Sequence, residues 1–422
     1  MPKPHRKLLA FHKIYYEMQK KFGFKEANKF LRYDWIGYTY LHDGDTSSFR
    51  HYCYAYDLKD LAEKGLYFID RSFNNQPPQH LSTFIDFVKE FISFTSNLSS
   101  GAVGLPNLIP YMFYFWKKDC DNDYLGIKTS NSEEKYALQQ IQRFIYAVNQ
   151  PYIRDSIQSA FTNTSIFDHP YFEALFGGSS FPDGSLMIDY EEEIIKFEKL
   201  FLQEMSKTRS DNIMTFPVNS ISLLRNKENT EFVDEDFAKW AIKHNMKWSD
   251  SNIFCDTSVN SLSNCCRLKS DISELYFNSI GGTALSVGSV KVDTINLARL
   301  SLESENTEEF LNKIYEVTYT ICEVLDCVRH IIKRNEEKGL LPNFTYGLVK
   351  WKSLYNTVGV IGCYESIKKF GFIKYDDFGN TFYTEDAEKL GQNIFDTIRK
   401  AQADFSKDYD VDYQLNIEQI PG

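Results

Sequence analysis

The sequence predicts an α/β fold with a substantial parallel sheet. Runs of β-type residues alternate with amphipathic helical segments along the chain, which is the order typical of such sheets. The composition is that of a globular protein, with 43% hydrophobic and 25% charged residues. The 422 residues permit two or three average domains or one large α/β barrel. Since no linker, repeat or low-complexity segment divides the chain, we expect one domain.

Charge and cysteine spacing exclude several classes of protein. The 47 Lys and Arg against 58 Asp and Glu leave a net charge of −11, which argues against a general nucleic-acid binder. No apolar run is long enough to span a membrane, and the N-terminus has no apolar signal segment. We therefore expect a cytoplasmic protein with reduced thiols and no membrane contact. The eight cysteines form no CxxC pair and have no zinc-finger spacing to His, so we expect no metal site.

Four helices are predicted from apolar residues at intervals of three and four. Ser82 and Thr83 are candidate caps of the first helix. An acidic run at 189–193 suits the positive end of another helix dipole. The clearest helix follows Asn306 and ends before Gly339. The four apolar stripes are Phe84, Val88, Phe91 and Ile92; Leu138, Ile141, Ile145 and Val148; Ile194, Phe197, Phe201 and Met205; and Phe310, Ile314, Val317, Ile321, Val324, Val328 and Ile331.

Strands are predicted at 213–224 and 290–297, each preceded by turn-type residues. The polar stretch 249–264 between them is predicted to be a long loop, and loops of this length in compact domains are often functional.

Two thiol segments are candidates for chemistry. Asn264, Cys265, Cys266 and Arg267 end the polar stretch, and adjacent cysteines form a disulfide only with strain. They are either packing cysteines or a reactive thiol beside a cation. Cys53 lies in an alternating run that predicts a strand with this thiol on one face. Spacing alone leaves an ordinary buried cysteine and an active thiol both open.

Three polar segments are more ambiguous. His42, Asp43 and Asp45 are metal ligands by residue type, although turn hydrogen bonds are the favoured interpretation. The glycines between 281 and 288 suit either a hairpin or a ligand loop. The segment 356–362 is predicted as a Gly-containing loop that enters a helix over 363–370. Such a loop is either an anion site or a plain strand–turn–helix joint.

In order along the chain, these segments resemble the anaerobic (class III) ribonucleotide reductases, a glycyl-radical family. The matching segments are LHDGD, CYAYDLKDLAEKGL, SSGAVGLPNL, MTFPVNSISLL, NCCRL, GSVKVDTINLARL, TVGVIGCYESIKKFG and NIEQIPG. The resemblance implies a ten-stranded α/β barrel built from two half-barrels, as one catalytic domain over 1–422. The family's N-terminal ATP-cone has no counterpart before Leu41, and its C-terminal glycyl-radical domain is expected to be missing.

The family reduces ribonucleotides, usually triphosphates, to 2′-deoxyribonucleotides. A thiyl radical removes the ribose 3′-hydrogen, the 2′-hydroxyl leaves as water, and a reductant supplies electrons. By resemblance, Cys266 is the thiyl-radical cysteine, and Cys53 is the thiol on the other face of the ribose. Cys265 is an accessory candidate. The residues expected to approach the substrate phosphates are Asn356, Thr357, Val358 and Gly359.

Two departures from the family pattern shape the expected partners. Ser289 stands where formate-using members carry Asn, which weakens a formate assignment and makes Ser289 a second accessory candidate. The expected reductant is therefore formate or a thioredoxin-like dithiol, and no third active-site cysteine is obvious for the dithiol route. The chain stops at 421–422, where the family continues with four zinc-binding cysteines and the radical glycine. Glycyl radical and zinc are therefore expected on a partner chain, with no cofactor bound by this one. The resemblance further implies a radical-SAM activating enzyme, deoxynucleotide or ATP effectors and a homodimer, without direct nucleic-acid contact.

These expectations combine into a split reductase, of which this chain is the N-terminal part. The alternative is a non-catalytic, nucleotide-binding homologue that only pairs with other chains. Another kind of glycyl-radical enzyme is less favoured, because the TINLAR and VGVIG segments resemble the reductase branch.

Overall fold

The structure, a computed structural model, describes residues 3–44, 49–68, 76–126, 129–154, 157–259, 261–264, 268–271 and 285–420. The helices are α1 (Lys3–Lys21), α2 (Phe24–Ile36), α3 (Lys59–Lys64), α4 (Leu81–Leu98), α5 (Leu108–Asp121), α6 (Ser130–Val148), α7 (His169–Phe176), α8 (Glu191–Asp211), α9 (Glu235–Trp248), α10 (Leu297–Leu302), α11 (Thr307–Glu337), α12 (Pro342–Thr345), α13 (Cys363–Lys369) and α14 (Glu385–Asp408).

The strands are β1 (Thr39–Leu41), β2 (Tyr54–Ala55), β3 (Val103–Leu105), β4 (Thr162–Phe167), β5 (Val218–Leu224), β6 (Ser251–Asp256), β7 (Ser261–Asn264), β8 (Leu268–Asp271), β9 (Val287–Asn296), β10 (Leu354–Ile361), β11 (Ile373–Tyr375), β12 (Thr381–Tyr383) and β13 (Leu415–Gln419). The fold is therefore mixed α/β, as predicted. Across the described residues, every helix is too short or too polar to cross a membrane.

The chain forms two compact units. Unit 1 comprises 1–52, 288–341 and 354–422, and unit 2 comprises 53–287 and 342–353. The expectation of one catalytic domain over 1–422 concerns how these units are joined and stays a prediction.

The sheet of unit 1 has the order β1–β9–β10–β13. Strands β9, β10 and β13 are parallel, whereas β1 runs antiparallel to β9. One face of this sheet packs against α10, α11, α13 and α14, with Ile295, Val358 and Val360 among the buried residues of that core. Because side chains alternate along a strand, Thr294, Thr357 and Gly359 belong to the opposite face. The helices thus cover the apolar face and leave the polar face on the other side.

Unit 2 is built on a parallel sheet with the order β2–β3–β4–β5–β6. Its helices α4, α5, α6 and α8 pack against one another. Their core is rich in aromatic side chains, and Phe84 and Phe115 stack with ring centroids 4.8 Å apart. A separate antiparallel hairpin, β7–β8, pairs Asn264 with Leu268. Burying large rings supplies much of the apolar area that stabilises such a core.

The four predicted helices are present as α4, α6, α8 and α11. The side chain of Asn306 caps α11 by accepting a hydrogen bond from the Glu309 N–H at 2.9 Å. The predicted caps of α4 are wrong, since this helix begins at Leu81. There the Asp119 carboxylate accepts from the Leu81 N–H at 2.9 Å. A carboxylate distant in sequence replaces the local cap, which no local pattern reveals.

Four sequence predictions about strands and loops need correction. The predicted strand at 213–224 shortens to β5, and the one at 290–297 begins earlier, at Val287. The predicted loop at 249–264 contains β6, which pairs in parallel with β5. Ser251 accepts a hydrogen bond from Asn219 of β5 at 3.0 Å, so a polar composition there does not prevent strand formation. The predicted loop at 356–361 is β10.

Candidate functional site

Cys53 lies immediately before the amino end of β2 in unit 2 and is 6% exposed. The Ala102 N–H donates to its Sγ at 3.2 Å, and the Tyr54 N–H donates to the Ala102 carbonyl at 3.1 Å. The adjacent strand β3 therefore positions the thiol through its backbone. The predicted strand is confirmed only in part, because β2 is two residues long and Cys53 precedes it.

A polar pair that sequence reasoning missed lies beyond the carboxyl ends of β2 and β3. Asn107 donates from Nδ2 to Asp57 Oδ1 at 2.8 Å and accepts from the Leu58 N–H at 3.2 Å. Burial raises the pKa of the Asp57 carboxyl, against hydrogen bonds from the Lys59 N–H and Asn107. Ligands of parallel sheets commonly bind at this end of the strands. In the sequence, the only sign of this pair is that each residue lies two positions after the end of its strand.

The predicted radical thiol, Cys266, lies outside the described residues, together with Cys265 and Arg267. The hairpin strands on either side of them are described, and β7 approaches β5 within unit 2. Asp45 and the glycines at 281 and 282 also lie outside the described residues.

In unit 1, the polar face of the sheet carries a row of register partners across four strands. The row consists of Tyr40 on β1, Thr294 on β9, Gly359 on β10 and Glu418 on β13. Thr294 is 1% exposed and Glu418 is 4% exposed. Polar groups are costly to bury unless they are hydrogen-bonded, so a buried polar face marks a region of special chemistry.

His42 completes this row from the segment that follows β1. Its Nε2 lies 2.8 Å from Thr294 Oγ1, and its Nδ1 lies 3.4 Å from the Tyr52 hydroxyl. Burial lowers the pKa of His42, with the Asp43 charge opposing and Lys291 adding to the shift. A neutral ring can donate to Thr294 or accept from it, depending on the tautomer. Asp43 adopts a left-handed backbone conformation with φ of 51° in the turn after β1, which accords with the turn interpretation.

Gly359 is explained by this row. A Cβ at this position would lie 2.2 Å from Thr294 Oγ1 and 2.9 Å from Ile420 Cγ1. The missing side chain therefore leaves space for the Thr294 hydroxyl between two strands.

Ser289 lies on the same sheet. Its hydroxyl is 2.9 Å from Thr357 Oγ1 and donates to the Lys291 carbonyl at 3.1 Å. Asn356, by contrast, faces α11, where the Arg329 guanidinium donates to its Oδ1 at 3.5 Å and to the Leu354 carbonyl at 3.0 Å. Burial lowers the pKa of Arg329 to about 10. The buried Arg329 thus holds the start of β10 from the helix side.

The loop expected to meet the substrate phosphates is therefore a strand. Residues 356–360 pair with β9 on one side and with β13 on the other, so their backbone groups are engaged in ladders. The turn into the next helix comes later, at Gly362, whose φ is 80° and whose Cβ would lie 2.6 Å from the Ala298 nitrogen. Residues 356–359 therefore do not form the predicted anion-binding loop with free backbone N–H groups. Their assignment to phosphate then depends on the resemblance alone.

Two buried titratable residues of unit 1 were also missed. Burial raises the pKa of Asp293 well above its usual value, and its Oδ1 has no hydrogen-bond partner among the described residues. His51 is fully buried, and burial, with Lys291 and Arg50, lowers its pKa to about 3. His51 is therefore neutral near pH 7. Within the described ranges, no three His, Cys, Asp or Glu side chains converge to hold a metal ion.

Comparison with known proteins identifies the family. The family model described as anaerobic ribonucleoside-triphosphate reductase matches residues 5–422. The chain belongs to this family. None of the curated proteins compared matches this chain.

Several solved structures resemble this member of the reductase family. The Thermotoga maritima anaerobic ribonucleotide reductase with citrate in the active site is 38% identical, with a TM-score of 0.84 over 99% of this chain and 72% of that one. The complex of that enzyme with dATP and CTP is 39% identical, with a TM-score of 0.84, over 99% of this chain and 67% of that one. A further anaerobic ribonucleotide reductase is 37% identical, with a TM-score of 0.84 over 99% of this chain and 63% of that one. The chain thus spans about two thirds of the length of these relatives.

Proposed function

We propose that this chain carries the substrate site of an anaerobic reductase that converts ribonucleoside triphosphates into 2′-deoxyribonucleotides by thiyl-radical chemistry. The observation that carries the proposal is the family match over residues 5–422. The buried thiol Cys53, positioned by the Ala102 N–H, supports it from the local geometry. We further propose the ten-stranded barrel of two half-barrels, one catalytic domain over 1–422, and a homodimer.

In this proposal, Cys266 holds the radical that removes the ribose 3′-hydrogen. The 2′-hydroxyl then leaves as water, and Cys53 donates a hydrogen atom during the reduction that follows. Sulfur suits both roles, because a thiol is readily oxidised and restored by a second thiol. Cys265 and Ser289 are accessory residues, and 356–359 lie near the substrate phosphates.

The proposed reductant is a thioredoxin-like dithiol protein. The support is Ser289, whose hydroxyl is engaged with Thr357 Oγ1 and with the Lys291 carbonyl. Formate-using members carry Asn at this place, and a serine cannot present the same amide donors. Formate as the sole reductant is expected to fail.

The radical is proposed to come from a glycyl-radical segment outside these 422 residues, generated by a radical-SAM activating enzyme. No motif of the Arg-Val-x-Gly-Tyr type occurs within them. Zinc is expected on that same segment. A relative of known structure was determined with dATP and CTP, which supports ribonucleotide as substrate and deoxynucleotide as effector for this chain.

The test is anoxic co-expression of the chain with a short polypeptide that carries CxxC pairs and a radical-glycine motif, together with the activating enzyme. Formation of dCTP from CTP is measured with dithiol and with formate. Cys53→Ala and Cys266→Ala are expected to abolish turnover. The matched control is Cys255→Ala, since Cys255 is an exposed thiol on β6.

Turnover that survives Cys266→Ala would overturn the proposed radical role. Nucleotide binding without turnover in every pairing would instead identify the non-catalytic homologue. The two outcomes are separated by measuring CTP binding on the same preparations.

A further inference from the structure

The first two helices carry charge of the opposite sign to the rest of the chain. Residues 1–36 contain nine Lys and Arg against three Asp and Glu, a net charge of +6. The remaining residues therefore carry −17, because the whole chain carries −11. Such asymmetry is typical of a segment that meets a charged partner.

Helices α1 and α2 pack antiparallel, and their contacts fix which residues lie side by side. Tyr15 donates from its hydroxyl to Asn28 Oδ1 at 3.2 Å. In an antiparallel helix pair, stepping back seven residues on one helix corresponds to stepping forward seven on the other. Leu8 is thus placed beside Trp35, and the same register places His12 beside Leu31.

This register defines an exposed face that we call the hairpin groove, formed by Leu8, His12, Tyr15, Asn28, Leu31 and Trp35. Its apolar members stand in water, with Leu8 70%, Leu31 39% and Trp35 89% exposed. The residues that join the helices to the core lie on other faces, as with Phe11 and Phe30, whose rings stack 4.9 Å apart. Exposed apolar side chains gathered in one place mark an interaction surface.

The groove is flanked by cations and has no carboxylate on it. The three carboxylates of the hairpin each pair with a cation: Asp34 with Lys7, Glu26 with Lys29, and Glu17 with Arg334. Five basic side chains have no carboxylate within 4.0 Å among the described residues, namely Arg6, Lys13, Lys20, Lys25 and Arg32. Helical spacing places Lys25 and Arg32 along the α2 flank of the groove, whereas Lys13 and Lys20 lie about 120° away from it around α1.

We propose that the hairpin groove is a docking site for an acidic amphipathic helix of a protein partner. An apolar centre with a charged rim is the usual anatomy of a protein interface, and aromatic side chains such as Trp35 are common energetic anchors. The basic α2 flank, with Lys25 and Arg32, selects a helix whose apolar stripe is bordered by Glu and Asp. The inference is independent of the proposed reductase activity.

The same features disfavour two other polyanionic partners. A nucleic acid would be bound by cations and stacked rings, whereas two of the three apolar residues in the groove are leucines. A membrane surface would need a continuous apolar face on one helix, but Phe11, Ile14 and Met18 of α1 are buried within the protein. These partners become outcomes of the test.

The test uses the whole chain and a fluorescein-labelled synthetic peptide. The peptide is about 18 residues long, about five helical turns, with Leu at every third and fourth position and Glu at the flanks. We expect anisotropy to report binding that weakens as salt rises. Trp35→Ala, and separately Lys25→Glu with Arg32→Glu, are each expected to weaken binding by about 10-fold or more. The matched control is Lys227→Glu with Lys243→Glu, which makes the same charge change at exposed positions of unit 2.

Circular dichroism and the thermal midpoint of each variant confirm that it is folded. The proposal is overturned if the peptide does not bind, or if the control weakens binding as much as the groove variants do. It is equally overturned if single-stranded oligo-dT or phosphatidylglycerol vesicles bind more tightly than the peptide and lose that binding in the groove variants.

Discussion

The sheets of the two units both bury polar side chains, but with different chemistry. In unit 2, Thr164 donates to Asn219 Oδ1 at 3.2 Å, and Asn219 Nδ2 donates to Ser251 Oγ at 3.0 Å. These three residues are register partners across β4, β5 and β6, and all are neutral. In unit 1, the corresponding row is interrupted by Gly359 and bordered by the titratable residues His42 and Glu418.

The two rows of polar side chains have different roles: the unit 2 row is structural, whereas the unit 1 row carries groups suited to chemistry. The amide and hydroxyl groups of the unit 2 row pair from strand to strand and need no ligand, so they fix the register of the sheet. The unit 1 row contains groups that can exchange protons, and it contains a glycine, Gly359, which has no side chain. Titratable groups in such positions are characteristic of functional sites.

The largest effect is expected from closing the gap in the unit 1 row. Gly359→Ala would place a Cβ 2.2 Å from Thr294 Oγ1, and we expect unfolding free energy to fall by about 3 kcal/mol. Urea titration measures the loss. Gly391→Ala is the matched control, because nothing lies within 4 Å of its Cβ and alanine favours its helix. Equal stability of the two variants would refute the steric role of Gly359. Adding Thr294→Ala to Gly359→Ala removes the clashing hydroxyl and is expected to restore part of the lost stability.

A smaller effect is expected from breaking the unit 2 row. Asn219→Ala removes the partner of both Thr164 and Ser251, and we expect a loss of about 2 kcal/mol in unfolding free energy. Because the row is neutral, this loss should be the same at pH 6 and pH 8, as chemical unfolding at both pH values checks. Adding Thr164→Val to this variant removes the hydroxyl that Asn219→Ala leaves without its acceptor. If the double variant recovered no stability, the proposed role of these hydrogen bonds would be wrong.

The smallest change in unfolding free energy is expected for Asp293→Asn near pH 4. The difference between this variant and the unchanged chain should grow as the pH rises. The folded-state pKa of Asp293 lies above its usual value of 3.8, so the native protein holds a proton that the unfolded chain releases above that pH. Asp293 therefore lowers stability as the pH rises through and beyond 3.8. The variant should lose this dependence, measured as its stability relative to the unchanged chain from pH 4 to pH 7. A constant difference across that range would contradict a raised pKa for the buried Asp293 carboxyl.

Periodicity predicted the helices well because their stripes face one core. Every member of the α11 stripe from Phe310 to Ile331 is buried, and the cap at Asn306 is local in sequence. The same reasoning failed for 251–256 and 356–361, which are strands rich in polar or small residues. There, neighbouring strands satisfy the polar groups, and those neighbours are distant in sequence.

For the candidate site too, the sequence selected residues by type, and the structure supplied their contacts. Resemblance selected Cys53 from residue type and order, whereas the hydrogen bond from Ala102 depends on the pairing of β2 with β3. Asn356 to Gly359 were expected in a loop because glycine beside a helix suggests a turn. The reason for Gly359 is instead the Thr294 hydroxyl on the adjacent strand.

By itself, the sequence determined the α/β class, the main helices, the family and the thiol in question, because these follow from periodicity, composition and motif order. Only the tertiary structure decided which polar residues share a face, why glycine stands at 359, and that Tyr15 of α1 contacts Asn28 of α2. The physical reason is that such neighbours come from strand register and helix packing between segments far apart in the chain. Local propensity carries no information about them.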